Sequence, residues 1–599
     1  MLNHNGTATL IQQYDDSAYA NPVQSYYVLD SKDYVSPTAN TVAYNGNGTT
    51  HYMKEQQMKA QQARQACIPH FHARYAAVLA RQQQQNQPSS SPAPLPKQNG
   101  QENPSGLVKA KLAAATTAQP LEPEASEPWS VLDMGGLRLK HLAPALFQYS
   151  FLTTLFLSYN QLTQLPPAIA KLSQLEILDA SGNALTSLPP EIGMIVSLKE
   201  LLLFDNQLTA LPEEIGMLFQ LEILGLEGNP LMEDLHLLAT KGTRGLVETY
   251  RESLPVGASP PPRQWMNVGE QKDGDDADTF LVLCYNTLCP MYMSPERYGY
   301  TPSWCLEWEY RKDLLLSELQ EFDADIVCLQ EVATNTYTND FLPFMQNNGH
   351  YEGLFYPKSR SKTMDEDQRQ LVDGCAVFYK TSRYKLVNHM LVEFNQKALE
   401  RPEFKECKDT YNRLMLKDNI ALFLLLEDKQ TKKHLVVTNV HLHWNTAFSD
   451  VKLMQIGIMM DELVHFIQRS GYGTLPVVLC GDYNAMPGQG IHEYLLKGSL
   501  RGSHPEFLNR DYGSYTSIGI KHPFKLKSSY GHLDELDYTN YTVGFKGVLD
   551  YIFYTPHRLE PVSLLGPLDR AYMAKQVALP NPHIPSDHIP LLTEFRFKD

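Results

Sequence analysis

The strongest constraint on the fold of this chain is a spacing. Leu152, Leu175, Leu198 and Leu221 lie 23 residues apart, and each opens the pattern Leu-x-x-Leu-x-Leu-x-x-Asn-x-Leu. The first copy supplies Leu152, Leu155, Leu157, Asn160 and Leu162. The second supplies Leu175, Leu178, Asn183 and Leu185, with Ala180 in place of a leucine. The third supplies Leu198, Leu201, Leu203, Asn206 and Leu208, and the fourth Leu221, Leu224, Leu226, Asn229 and Leu231. A degenerate copy, Trp129, Leu132, Met134 and Leu139, precedes them. A period of this length implies one short strand and one return segment per copy, stacked so that the leucines of neighbouring coils share one core. The Asn of each copy suits the point where the chain leaves its strand, because an amide can both donate and accept.

This is a leucine-rich-repeat signature, placed at about residues 126–250. It holds no catalytic constellation, so its expected role is a concave binding surface. Residues 1–125 read differently. They are rich in Gln, Asn, Ser, Pro and Ala, with Arg81-Gln82-Gln83-Gln84-Gln85 and scattered Tyr14, Tyr19, Tyr26, Tyr27 and Tyr34. Such a segment buries too little apolar surface to offset chain entropy, and is expected to be a disordered tail with one helix near Met53–Arg81. Residues 251–278 read as a linker, stiffened by Pro255, Pro260, Pro261 and Pro262 and solvated by Asp273, Asp275, Asp276 and Asp278.

The chain has 599 residues, and composition narrows its class. No run of 18 apolar residues appears, and the start of the chain lacks the basic and apolar regions of a signal peptide. A cytoplasmic and nuclear protein with no membrane partner is expected. The eight cysteines include no Cys-x-x-Cys pair, so neither a zinc site nor a disulfide framework is signalled. The net charge of −16 argues against a general nucleic-acid binder. Residues 279–599 account for little of it, with 33 Lys+Arg against 39 Asp+Glu. Metal-binding carboxylates themselves add negative charge that a bound cation offsets.

Residues 279–599 form the remaining domain. Strand-like runs recur at Phe280–Cys284, Ile326–Leu329, Ala376–Tyr379, Leu435–Val437, Val477–Cys480 and Val548–Tyr554, with helix-like stretches at Trp308–Phe322 and Asp450–Arg469. That alternation predicts an α/β sandwich. The informative residues are those that end the strands. These are Asn286, Gln330-Glu331, Asn439-Val440-His441, Gly481-Asp482-Tyr483-Asn484, Asp550 and Ser586-Asp587-His588. Any one of them alone is more simply a loop residue, a cap or a satisfied core histidine. Together they would converge on one rim, where carboxylate and amide oxygens are the hard ligands that suit Mg²⁺. Spacing alone therefore gives a metal-dependent phosphoesterase.

The order Asn, Gln-Glu, His, Gly-Asp-x-Asn, Asp, Ser-Asp-His is similar to the endonuclease/exonuclease/phosphatase superfamily. That resemblance implies a four-layer α/β sandwich and metal-assisted phosphoester hydrolysis. Five stretches sharpen it: Gly299–Trp304, Trp308–Lys312, Phe355–Arg360, Val372–Ala376 and Asn581–His588. With the repeats directly before the nuclease domain, the chain resembles the carbon-catabolite-repressor type of poly(A) deadenylase, the nuclease subunit of the Ccr–Not complex. The resemblance implies poly(A) RNA as substrate, shortened from its 3′ end with release of AMP. It implies one or two Mg²⁺ ions, with Mn²⁺ able to substitute. It also implies docking of a second deadenylase subunit of Caf/Pop type on the repeats, and through it an indirect link to the Not scaffold.

Site roles follow from the same resemblance. Glu331 is the principal metal ligand with Asn286 beside it, and Asp587 is a candidate ligand for a second metal. Asp482 orients and deprotonates the water or shares a metal. Asn484 donates to the scissile phosphate or holds Asp482. His588 contacts a phosphoryl oxygen, with Asp550 fixing its tautomer, and His441 contacts phosphate or supports the groups that do. A zinc or manganese site at His441 and His443 is the weaker alternative, since no third ligand joins them. Adenines are expected to stack on aromatic rings, with Phe545 placed near the terminal base and Trp444 and Tyr483 as further candidates. Lys358 and Arg360 are the candidates for the RNA backbone, whereas Lys521, Lys525 and Lys527 read more simply as a solvated loop. One departure bears on the base pocket: metazoan members commonly have Asp-Pro after the His-Trp pair, where this chain has Asn445-Thr446. An inositol-polyphosphate phosphatase, a DNA endonuclease or a sphingomyelinase could use the same metal core, and a scaffold with an inactive nuclease domain is the reading from a different class.

Overall fold

A computed structural model describes residues 129–269 and 279–598. The tail expected at 1–125 and the helix expected at Met53–Arg81 lie outside the described residues. The repeats form one parallel sheet in chain order, from strands Val131–Asp133, Thr154–Phe156, Ile177–Asp179, Glu200–Leu202 and Ile223–Gly225. Thr154 pairs with Ile177, Ile177 with Glu200 and Glu200 with Ile223, so the register advances by one period per coil. The pattern leucines Leu152, Leu155, Leu157, Leu175, Leu178, Leu198, Leu201 and Leu203 are fully buried. Each Asn closes its own turn and ties it to the coil before. Asn183 donates to Leu157 O and Ala180 O, both at 3.0 Å, and accepts from Leu162 N–H at 3.0 Å. Helices Glu233–Ala239 and Gly242–Glu252 cover the last coil through Leu235, Leu246 and Val247.

The residues expected to be linker do more than span a gap. Trp265–Asn267 is an edge strand, antiparallel to Leu559–Leu565. Arg263 donates to the carbonyls of Gly566 at 2.6 Å and Pro590 at 2.7 Å. The prolines before it remove donors locally, but an arginine can reach carbonyls that a sheet edge leaves open.

The nuclease region is built on two sheets. One has seven strands in the order Trp265–Asn267, Leu559–Leu565, Leu591–Phe597, Thr279–Asn286, Ile326–Ala333, Asp373–Lys380, Tyr351–Pro357. The other has six: Tyr384–Glu393, Ile420–Asp428, His434–His441, Val477–Asp482, Asp550–Tyr554, Lys527–Ser528. Their inner faces share one core, in which Val282, Cys328 and Phe595 meet Leu424, Val437 and Ile552. Helix Trp308–Phe322 covers the outside of the first sheet through Leu315 and Leu319. Helix Ser449–Ser470 covers the second through Leu453, Ile456 and Met460. The result is helix, sheet, sheet, helix in four layers. No helix among the described residues is long and apolar enough to cross a membrane.

Candidate active site

The polar strand ends meet where the two sheets open on one side. Asn286 sits opposite Gln330 in the parallel pair of the first sheet. His441 sits opposite Asp482, and Asp482 opposite Asp550, in the second. Gly481 is required here by close approach, since a Cβ on it would lie 2.2 Å from Val440 O in the neighbouring strand. Beneath the rim, Asn439 clamps the two sheets. It donates to Leu329 O at 2.8 Å and Ala376 O at 2.9 Å, and accepts from Gln330 Nε2 at 2.7 Å. All of these groups are buried, so their mutual satisfaction is what makes the arrangement tolerable.

Asn286 joins the two halves of the site. Its Nδ2 donates to Glu331 Oε1 at 3.1 Å and Asp482 Oδ2 at 3.0 Å, while its Oδ1 accepts from Leu288 N–H at 3.0 Å. In this arrangement Asn286 is a double donor that holds the two carboxylates together, while its oxygen bonds its own turn. Glu331 has φ +57°, Asn484 φ +50° and Leu288 φ +55°. For residues other than glycine such conformations cost about 1–3 kcal/mol each and gather at functional sites. The second oxygen of Glu331 accepts from Cys289 N–H at 3.0 Å. Asn484 donates its N–H to Asp482 Oδ1 at 2.9 Å and its amide to Leu442 O at 3.0 Å, so in this arrangement it holds Asp482.

His588 Nδ1 lies 2.7 Å from Asp550 Oδ2, and its Nε2 lies 3.8 Å from Asp482 Oδ2. Burial alone would lower its pKa, but Asp550, Asp482 and Asp587 hold it well above the usual imidazole range. His588 Nδ1 is thus fixed by Asp550 and its Nε2 is aimed at the rim. His441 is the opposite case. Burial and the nearby Lys358 ammonium keep it far below that range, and it is neutral, with Nε2 3.7 Å from Asp482 Oδ2 and 3.9 Å from Glu331 Oε1. Burial raises the carboxyl of Glu331, helped by Asp373. Burial, then Asp550, raises that of Asp482.

These residues fit a divalent cation. The carboxylates of Glu331 and Asp482, both with destabilised charge, meet on Asn286, and Asp550 Oδ1 and Asp587 Oδ1 are buried without a hydrogen-bond partner. Hard oxygens in this state suit a hard cation, whose charge would relieve them. Among the described residues, Asp482, Asp550 and His588 bring potential ligand atoms within 4.8 Å of one another. Glu331, tied to Asp482 through Asn286, adds a further carboxylate beside that grouping. Asp587 stands at the side, its Oδ2 accepting from Tyr298 OH at 3.0 Å.

The substrate-facing candidates divide. Trp444 is 64% exposed just beyond the strand that ends at His441. Phe545 is half-buried in the hairpin Asn540–Thr542/Phe545–Gly547, its ring lying against Gly547 close to the Met486 sulfur. Tyr483 is fully buried against Tyr551 and Phe553, which makes it core. Lys358 and Arg360 are a correction. Neither lies open toward solvent as a backbone contact would. The pairing of strands Tyr351–Pro357 and Asp373–Lys380 brings both onto the buried Asp373, with Lys358 Nζ at 2.7 Å and Arg360 at 2.8 Å, and Arg360 also takes Asp418 at 2.6 Å. Lys358 still acts on the site, since its charge opposes the rise of the Glu331 carboxyl. His443 lies past the strand end, edge-on to Phe448 at 5.2 Å, so it does not pair with His441 as a ligand set.

Three supporting residues carried no assigned role in the sequence. Asp373 anchors Lys358, Arg360 and Tyr292. Tyr298 holds Asp587. Arg311 is fully buried and donates to Pro585 O, Thr287 O and Leu288 O at 2.5–2.7 Å, fixing the loops after Asn286 and before Ser586. A signal for Arg311 existed: it occupies the same helix face as Leu315 and Leu319, where a charge has no reason to be unless it is satisfied inside.

Comparison with known proteins agrees with this architecture. The endonuclease/exonuclease/phosphatase family model matches residues 291–588, and a leucine-rich-repeat model matches residues 130–185. The CCR4-Not complex 3′-5′-exoribonuclease subunit Ccr4 of Mycosarcoma maydis is 47% identical over 610 residues, covering 92% of this chain and 90% of that one. Its counterpart in Schizosaccharomyces pombe is 44% identical over 516 residues, covering 78% and 75%. The chain belongs to the Ccr4 family. Among solved structures, that of ANGEL2, a 2′,3′-cyclic phosphatase, in complex with adenosine-2′,3′-vanadate covers 56% of this chain and 99% of its own, at 25% identity and a TM-score of 0.46. Membership of the family gives the rim described above its context: the strand ends that converge on it lie within or beside the segment that the nuclease model matches.

Proposed function

We propose that this chain is a 3′-to-5′ exoribonuclease that shortens poly(A) tails by hydrolysis, releasing AMP, as the nuclease subunit of a CCR4-Not type complex. The observation that carries the reading is the meeting of Glu331 and Asp482 on Asn286, beside the Asp550–His588 pair. Mg²⁺, in one or two copies and replaceable by Mn²⁺, would be held by Glu331 with Asn286 beside it, and Asp587 is the candidate for a second ion. When bound it lowers the pKa of a water and draws charge from the phosphoryl oxygens. Asp482 accepts the proton of the attacking water, and Asn484 keeps that carboxylate aimed by its backbone N–H. His588, oriented by Asp550 through Nδ1, donates from Nε2 to a phosphoryl oxygen as negative charge gathers there. Neutral His441 supplies a further contact on the same side. Phe545 and Trp444 offer stacking faces for adenines.

The repeats, at about 126–250, are the docking module for a second deadenylase subunit of Caf/Pop type, and through it for the Not scaffold. Action on messenger RNA in cytoplasm and nucleus follows from membership of such a complex. The deciding experiment is a time course on a 5′-labelled RNA ending in twenty adenosines with Mg²⁺, comparing wild type with Glu331→Ala. A ladder that retreats from the 3′ end, stalls at the non-A body and disappears in the variant is expected. Release of phosphate from an inositol polyphosphate, with the RNA intact, would overturn the substrate while leaving the metal site in place.

A further inference from the structure

Two segments beside the rim, the helical turn Thr410–Leu414 with the residues on to Lys417, and residues 443–448 ending in the turn Thr446–Phe448, carry a patch that the hydrolytic chemistry does not use. Lys417 Nζ lies 4.0 Å from the centre of the Phe448 ring, and the guanidinium of Arg413 lies 4.4 Å from it. The two cations differ in their other commitments. Arg413 is held by both oxygens of Asp450, at 2.6 and 2.8 Å, and donates to Ala447 O. Lys417 has no ion pair among the described residues, and its neighbour Asp418 is taken by Arg360. Around them Tyr411, Leu416 and Trp444 stand 46%, 75% and 64% exposed.

Several cationic side chains gather near His443. Burial pushes His443 down to about 3, with Lys417, Lys452, Lys358 and Arg413 adding to the effect. Burial and the Arg413 charge also lower the Lys417 ammonium. In a chain of net charge −16 such a region is not a by-product of composition. An aromatic face beside an uncommitted cation is the combination that single-stranded nucleic acid binds without sequence readout. The patch is also continuous with the rim, because Trp444 follows His441 by three residues, at most about 11 Å of extended chain.

We propose that this surface is the track for the RNA strand immediately 5′ to the nucleotide being removed, with Lys417 taking a backbone phosphate and Trp444 stacking a base. It rests on the nuclease reading above for which end of the strand enters the rim, whereas the binding itself can be measured without turnover. An acidic protein segment would meet the charge but not the exposed ring.

The test is binding of a fluorescent RNA ending in twenty adenosines to the full chain in EDTA, across a salt series. Lys417→Ala is expected to weaken binding and to flatten the slope of log K against log salt by about one unit, the contribution of a single phosphate contact. Trp444→Ala is expected to weaken binding roughly 5- to 150-fold, as for one stacked base, and Lys417→Arg to restore it. Lys432→Ala, at the far end of the strand His434–His441, is the control for loss of charge. Binding and salt slope for Lys417→Ala equal to wild type, or an equal loss in Lys432→Ala, would overturn the track. Weakened binding by Lys417→Ala alongside a wild-type enzyme that cleaves no RNA would uphold the track and remove the nuclease reading instead.

Discussion

The repeats and the nuclease region both depend on buried asparagine amides, and they use them in opposite ways. In the repeats, Asn160, Asn183, Asn206 and Asn229 make the same bonds again and again, to a turn of their own coil and to the coil before. These bonds reach no further than the adjacent coil, so each coil answers only to its neighbours. In the nuclease region Asn286, Asn439 and Asn484 each make a different set. Asn286 reaches Asp482 across 196 positions, and Asn439 reaches Leu329 and Ala376 in the opposite sheet. The serial arrangement makes a surface that tolerates local loss. The convergent arrangement makes a point, and each member is needed.

That contrast can be tested in order of effect. Asp482→Asn removes the proton acceptor of the convergent set, and single-turnover cleavage is expected to slow by about 10²–10⁴-fold. The variant keeps the shape of the side chain, and its circular dichroism should match wild type. Asn439→Ala leaves two carbonyls and the Gln330 amide without their shared partner. A stability loss of about 2–5 kcal/mol, confined to the unfolding step of the nuclease region, is expected in urea. Asn206→Ala removes a fully buried amide from the repeats, with four bonds lost. The expected cost is about 1–3 kcal/mol in the unfolding step of the repeats, with kcat on RNA unchanged. A fall in kcat as large as that from Asp482→Asn would break the distinction between the two regions.

The smallest effect concerns pH. Glu318, bonded to Tyr285 OH at 3.1 Å, has its carboxyl pushed up to about 7 by burial. The folded state keeps a proton that the unfolded chain releases near the ordinary carboxyl value. Its stabilising contribution is therefore complete below that value and is lost as pH rises through 7. Wild type should lose stability relative to Glu318→Gln between pH 5 and pH 8, read as diverging urea midpoints. Parallel midpoints across that range would show that Glu318 titrates normally.

Much of this was legible in the sequence because local rules carried it. A 23-residue period fixes the repeats, and runs of β-formers that end in Asn, Glu, His or Asp mark the rim. What was not legible depends on partners supplied by the fold. Nothing local shows that Lys358 and Arg360 turn inward, since Asp373 reaches them only through the pairing of two strands. The orientation of Asn286 is set by its own turn at Leu288 and by carboxylates on two other strands. The strand Trp265–Asn267 was hidden by its proline-rich approach, and Tyr483 by the equal plausibility of a ring in a core or on a base. Arg311 could have been read from the apolar helix face it interrupts.

The seam between repeats and nuclease region has a mechanical consequence. Val196 and Phe219 from the repeats pack with Leu288, Tyr298, Tyr300 and Ala578, Arg251 donates to Gly299 O, and Glu252 accepts from Ser303. A cargo seated on the concave sheet is thus presented at a set bearing to the catalytic mouth. With a floppy tether, encounter would follow an effective concentration that falls with linker length. Here it follows geometry, so whatever the repeats hold stands at a fixed distance from the rim.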